Sequence, residues 1–228
     1  NTSKTQNYIS VLNQLKKDLC LNKIPKHIEC FDNSNIMGTN PSSACVVFKN
    51  GKPKKKEYIH FKIKSVKGPD DYKSMEEVVY RRYLRLKKEK KHLPQLIVID
   101  GGKGQLNAAI SSLKKLKLEN KIPVIGIAKR LEEIYFPNDS LPLYLDKKSE
   151  SLKLIQRLRN EAHRFSLKLH RIRRKKHLLQ TSLDNIPGIG PKTIELLLAK
   201  YGSKKNILTA EKKEIIALIG KKRANALF

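Results

Sequence analysis

The stretch Leu96-Ile97-Val98-Ile99-Asp100-Gly101-Gly102 restricts the fold more than any other part of this sequence. Its apolar run has no polar face, which suits a strand at the centre of a sheet covered on both sides. Pro94 before it and two glycines after it bound it as a short strand. Residues 105–116 then read as a helix, and Val124-Ile125-Gly126-Ile127-Ala128 as a second buried strand. Strand, helix, strand in that order is a βαβ unit, so part of the sheet is parallel.

Upstream, Ile9, Leu12, Leu15, Leu19 and Leu21 fall near helical spacing, which predicts a helix over 1–24 ended by Pro25. Residues 27–32 and 44–48 read as strands, and the Asn-, Ser-, Gly- and Pro-rich stretch 33–43 between them as a loop. Lys49-Asn50-Gly51-Lys52 is a hairpin signal, with 56–63 as the returning strand. Gly68-Pro69-Asp70-Asp71 breaks the chain and offers an N-cap to a helix over 71–90. Residues 131–146 read as a β-excursion turning at Pro137-Asn138-Asp139. Leu152, Ile155, Leu158, Ala162, Phe165, Leu169 and Ile172 form the apolar stripe of one helix over 149–176. The expected organisation is an α/β domain over 1–176, with a mixed sheet flanked by helices. A basic and polar linker at 177–181 and a small all-α module over 182–228 follow.

Charge narrows the function. Lys and Arg number 49 against 21 Asp and Glu, a net charge of +28 that points to a polyanionic partner, most often nucleic acid. Apolar residues make up 39% of the chain, enough for a core, which argues against wholesale disorder. No run approaches the ~18 apolar residues of a membrane span. The polar start Asn1-Thr2-Ser3-Lys4 has no signal core and no initiator Met, so a piece of a longer, cytoplasmic protein is expected. Cys20, Cys30 and Cys45 lack CxxC spacing and read as free thiols in a reducing compartment.

Two acids close predicted strands, Asp32 and Asp100. Strand C-termini are where open α/β sheets bind ligands, and an unpaired carboxylate is costly in a core. Together the two would suit a hard divalent cation that shares its ligands with a substrate phosphate. The plainer alternative is that Asp100 caps the next helix and Asp32 a turn. His163 borders the apolar stripe of the long helix, where a lone histidine is usually structural. His163, His170 and His177 cannot share an ion, since seven residues rise ~10.5 Å along a helix. Asp100-Gly101-Gly102-Lys103-Gly104-Gln105 lacks the GxxxxGK[ST] spacing, which excludes a nucleotide-binding P-loop.

Near the C-terminus, Ile186-Pro187-Gly188-Ile189-Gly190-Pro191-Lys192 reads as a hairpin between a helix starting at Ser182-Leu183-Asp184 and the helix Thr193 to Lys200. This is a helix-hairpin-helix signature. Gly188 and Gly190 allow the tight turn and let backbone amides meet a phosphate, with Lys192 beside them. Leu218-Ile219-Gly220-Lys221-Lys222-Arg223 reads as a degenerate second copy, with Leu218 where the first glycine would stand. A bare packing turn is the alternative.

In order along the chain, Ile28-Glu29-Cys30-Phe31-Asp32-Asn33-Ser34-Asn35, Gly68-Pro69-Asp70-Asp71-Tyr72, Ile99-Asp100-Gly101-Gly102-Lys103-Gly104-Gln105-Leu106, Ile125-Gly126-Ile127-Ala128-Lys129-Arg130, Arg159-Asn160-Glu161-Ala162-His163-Arg164-Phe165 and Ile186-Pro187-Gly188-Ile189-Gly190 resemble the C-terminal half of the UvrC family, nuclease subunits of bacterial UvrABC excision repair. The resemblance implies an RNase H-like endonuclease domain followed by a tandem helix-hairpin-helix domain. It implies a catalytic Asp32, Asp100 and His163 that hold Mg²⁺ or Mn²⁺, and a further catalytic acid at Asp71. Lys103 and Arg164 are expected phosphate clamps. Gly188, Gly190, Lys192, Lys221, Lys222 and Arg223 are expected DNA contacts. Family members commonly have His where this chain has Asn35. The implied activity is the 5′ incision beside a lesion in duplex DNA. Its partners would be UvrB, reached through a segment absent here, and UvrA indirectly. No counterpart of the family's 3′-cutting domain is visible in the sequence. Two other classes remain open: a non-catalytic DNA-binding platform on an inactive RNase H-like fold, and a nuclease acting on RNA.

Overall fold

Alternation along two adjacent strands organises the first unit. β1 (His27–Ser34) and β5 (Leu96–Asp100) run parallel with Asp32 opposite Asp100. Ile28, Cys30, Leu96 and Val98 point to one face, Phe31, Ile97 and Ile99 to the other, as a side-chain period of two requires. β6 (Val124–Ile127) continues the parallel part beside β5, and β2 (Ser42–Lys49) lies antiparallel on the other side of β1. With β3 (Lys52–Pro53), β4 (Ile59–Lys62) and β7 (Ile134–Tyr135) the sheet has the order β3-β2-β1-β5-β6-β7, and β4 also pairs with β2. It is mixed, as the βαβ pattern implies.

This computed structural model describes residues 2–34, 42–65, 70–128, 133–183, 186 and 188–227, with side chains except at 2–6, 34 and 169–183. Asn35 lies outside the described residues. α2 (Asp71–Lys88) and α3 (Lys103–Lys115) cover the face of Phe31 and Ile99. α1 (Thr2–Asp18) and α4 (Glu150–Leu183) cover the face of Cys30 and Val98. Both faces of β5 are therefore buried. α2 starts as expected, with the Asp70 side chain accepting from the Lys73 amide at 3.0 Å.

Three expectations change. α1 stops at Asp18, well before Pro25, because Cys20 turns left-handed (φ 50°) and the Leu21 amide bonds back to the Lys16 carbonyl at 2.9 Å. The returning strand expected over 56–63 covers only Ile59–Lys62, and a separate short piece, Lys52–Pro53, pairs before it. Pro53 lacks an amide donor, a 3-10 turn at Lys55–Glu57 follows, and pairing resumes only at Ile59. The linker at 177–181 is helical, because no Gly or Pro interrupts the sequence from 150 to 183 and α4 runs on to Leu183. Ser182 and Leu183 thus end a helix rather than begin one.

The chain forms two compact units, Asn1–Leu167 and Lys168–Phe228. The second contains α5 (Pro191–Tyr201), α6 (Lys204–Thr209), α7 (Lys212–Ile219) and α8 (Lys221–Asn225). They close on Ile189, Ile194, Leu197, Ile207, Ile215, Ile219, Ala224 and Leu227. No described helix is long and apolar enough to cross a membrane.

Candidate metal centre

Asp32 and Asp100 extend the alternation that sends Cys30 and Val98 toward α4. Their side chains therefore stand next to each other on that face, Asp100 at the C-terminal end of β5 and Asp32 two residues inside the end of β1, because β1 pairs on with β2 to Ser34 instead of stopping at Asp32 as expected. Both are buried, at 1% and 3% exposure. α4 brings His163 over them, with Nδ1 3.6 Å from Asp32 Oδ2. One ligand atom from each of the three lies within 4.8 Å of the others, and no second such group of His, Cys, Asp and Glu occurs among the described residues. Ligands on one octahedral Mg²⁺ sit ~2.9 Å apart when adjacent and ~4.2 Å apart when opposed. The 3.6 Å separation falls inside that range, and two carboxylates with one imidazole fit a hard divalent ion. The His163 side chain is 51% exposed, so the group opens to solvent on its side.

Cys30 lies beneath the pair and stays a neutral thiol: burial pushes it well up, and the charges of Asp100 and Asp32 push it further. Arg159, one turn of α4 before His163, pulls the other way. It brings positive charge near Cys30. The sequence reading assigned it no role, although its i, i+4 spacing from His163 is the signal that places it there.

The turn after Asp100 is tightly enclosed. A Cβ on Gly126 in β6 would come 2.9 Å from the Gly101 carbonyl oxygen, so only glycine lets that turn sit against the strand. Asp71 begins α2 outside the three-residue group. Its carbonyl accepts from Asn33 Nδ2 at 2.7 Å, and Asp71 lines a cleft with Tyr72, Gly102 and Gly104. The two expected phosphate clamps have partners within the protein. Lys103 Nζ donates to the Ser140 carbonyl at 2.5 Å and lies 5.1 Å from the Tyr135 ring centre. Arg164 binds both Glu161 carboxylate oxygens at 2.7 Å.

In the second unit, Gly188 has φ 83°, and Gly190 caps α5 with Pro191 at its first turn. No side chain caps α5, Pro191 has no N–H, and the Thr193 and Ile194 amides bond to the Gly190 carbonyl at 2.9 and 3.1 Å, so an anion there would meet chiefly the backbone and the exposed side chain of Lys192. In the second hairpin Gly220 alone, at φ 86°, both ends α7 and starts α8. Exposed Lys221, Lys222 and Arg223 form the first turn of α8. Pro187 lies outside the described residues.

The family of the UvrC RNAse H endonuclease domain matches residues 16–167. This chain belongs to the UvrC family. The SAM-like helix-hairpin-helix tandem matches residues 181–227. The first unit is thus RNase H-like α/β, and the C-terminal helices carry a helix-hairpin-helix tandem. UvrABC system protein C of Christiangramia forsetii is 60% identical over 214 residues, 94% of this chain and 36% of that protein. The Porphyromonas gingivalis protein is 56% identical over 223 residues, 98% of this chain and 37% of that one. The chain therefore spans little more than a third of these UvrC relatives. Among solved structures, endonuclease V of Ciona intestinalis in complex with DNA is similar at 22% identity and a TM-score of 0.36, over 71% of this chain and 69% of that one.

Proposed function

We propose that this chain is a divalent-metal-dependent DNA endonuclease of nucleotide excision repair and makes the 5′ incision beside a lesion in duplex DNA. The gathering of Asp32, Asp100 and His163 at the C-terminal end of the sheet carries the reading. Asp32 and Asp100 would hold Mg²⁺ or Mn²⁺, with His163 completing the set through a neutral ring nitrogen. A bound ion of this kind lowers the pKa of its water and stabilises charge on phosphoryl oxygens. The chain does the rest. Sheet register keeps the two carboxylates together, and Arg159 moderates their mutual repulsion. The exposed side of His163 leaves room for a phosphodiester. Asp71 works from the rim of the cleft, and Lys103 and Arg164 exchange their internal partners for DNA phosphates. Gly188, Gly190, Lys192, Lys221, Lys222 and Arg223 grip the backbone without reading bases. UvrA and UvrB supply the lesion, in the cytoplasm.

The test is nicking of plasmid and lesion-bearing duplex in Mg²⁺, Mn²⁺ or EDTA. The wild type is compared with Asp100→Asn and His163→Ala, both alone and in full-length protein with UvrA and UvrB. Metal-dependent nicking that both substitutions abolish supports the assignment. If the full-length protein still makes the 5′ cut after Asp100→Asn, this part of the chain is a DNA-holding platform.

A further inference from the structure

Sheet register fixes Asp32 beside Asp100, but His163 comes from a different element and is half exposed. Its helix is tied down from the far edge of the sheet. The Tyr58 hydroxyl donates to Glu161 Oε1 at 2.9 Å, and the Tyr58 ring meets Phe165 edge-on at 5.2 Å. Glu161 and Phe165 bracket His163, two residues before it and two after. Arg164 holds the same Glu161 carboxylate with two bonds of 2.7 Å. Tyr58 directly precedes β4, whose His60 pairs with Ala44, which in turn pairs with Asp32. The path from Asp32 through β2, β4, Tyr58 and Glu161 to His163 is therefore a closed loop of contacts.

We propose that Tyr58 is a positioning residue for the metal centre, acting through Glu161 to hold the turn that carries His163 in register with Asp32 and Asp100. This rests on reading those three residues as a metal centre. The physical need is clear: metal–ligand distances tolerate deviations of only ~0.2 Å, whereas packed helices slide past their neighbours by small shear movements. Ala162, the buried residue of this turn, offers little to stop such sliding. A charge-assisted hydrogen bond and an edge-to-face ring pair are both directional, so together they fix the helix along its axis and around it.

Tyr58→Phe removes the hydroxyl and keeps the ring pair, and Glu161→Gln weakens the acceptor. Each is compared with wild type, Tyr58→Ala and His163→Ala. Mn²⁺ affinity is measured by paramagnetic resonance titration without DNA, and imidazole coordination by spin-echo coupling of Mn²⁺ to nitrogen. The wild type should show the nitrogen coupling, and His163→Ala should lose it. Tyr58→Phe should bind Mn²⁺ about tenfold more weakly, with diminished coupling. Nicking should return toward wild type as Mn²⁺ is raised. Wild-type Mn²⁺ affinity and full nitrogen coupling in both Tyr58→Phe and Tyr58→Ala, with only the melting temperature lowered, would overturn the proposal. A wild type that binds Mn²⁺ without nitrogen coupling, or not at all, overturns the metal-centre reading itself.

Discussion

Replacing Asp100 by Asn keeps its shape and removes one of two adjacent buried charges. As a lost metal ligand it should slow nicking about a thousandfold, since the ion is worth several kcal/mol of transition-state charge. Stability in EDTA should not fall, because the remaining Asp32 then faces a neutral neighbour. A melting temperature that drops with activity would mark Asp100 as structural. Glu29, three residues before Asp32 on the opposite face, has the reverse character. It is fully buried, with Arg82 Nη2 at 2.5 Å, Tyr83 Oη at 2.9 Å and His27 Nε2 at 3.2 Å. Burial pulls its carboxyl upward, but hydrogen bonds from His27 and Arg82 and the Arg82 charge outweigh this and hold it at about 2. A carboxyl depressed in the folded state adds stability above its unfolded value of about 4.5 and loses it as the pH falls toward 2. Glu29→Gln leaves Arg82 without its counter-charge and should cost about 3 kcal/mol at pH 7 in urea unfolding. That difference should shrink steadily from pH 5 to pH 2, and a gap constant with pH would remove the ion pair from the account. The two acids at predicted strand ends are legible in the sequence because position alone makes them unusual. Glu29 is not, because the partner that makes its burial tolerable is 53 residues away.

At the scale of elements, the sequence reads well where a signal is local and badly where pairing decides. The Asp70 cap, the buried runs of β5 and β6 and the hairpin at Asn50-Gly51 all rest on neighbouring residues. The break between β3 and β4 depends on how far the edge can pair with β2 before Pro53 stops it. α4 runs past 176 because the basic and polar residues there are ordinary helix formers, so their composition alone does not end a helix. Gly126 shows a requirement visible only in three dimensions. A Cβ there meets the Gly101 carbonyl at 2.9 Å and Leu106 Cβ at 3.4 Å, and backbone cannot give way as a flexible side chain does. Gly126→Ala should therefore cost about 1–3 kcal/mol and displace the turn after Asp100, weakening Mn²⁺ binding as well. Unchanged Mn²⁺ affinity in a destabilised variant would separate that turn from the metal centre. Gly188→Ala should cost about 1–2 kcal/mol through its φ of 83° and weaken DNA binding, leaving Mn²⁺ binding by the first unit intact.

For the whole molecule, the net charge of +28 forecasts a polyanionic partner but not where it binds. The location proposed for it rests on backbone geometry: α5 lacks a side-chain cap, and α8 opens with three consecutive basic residues after a left-handed glycine. Exposed lysines also crowd the first unit, at the C-terminal ends of α2 and α3 and before β6. The two populations can be told apart by counterion release. Each phosphate contact contributes about 0.9 to the slope of log affinity against log salt. Replacing Lys192, Lys221, Lys222 and Arg223 by Ala should lower that slope by about 3.6 in EDTA, where cutting cannot interfere. Replacing Lys88, Lys91, Lys114 and Lys121 removes as many charges and should leave the slope nearly unchanged. Equal losses from both sets would mean that the chain holds DNA by diffuse charge alone, and the hairpin geometry would then have no part in binding. Under the reading argued above, the hairpin variant should also regain wild-type nicking at saturating DNA, because its defect lies in holding the strand and the metal residues of the first unit are untouched.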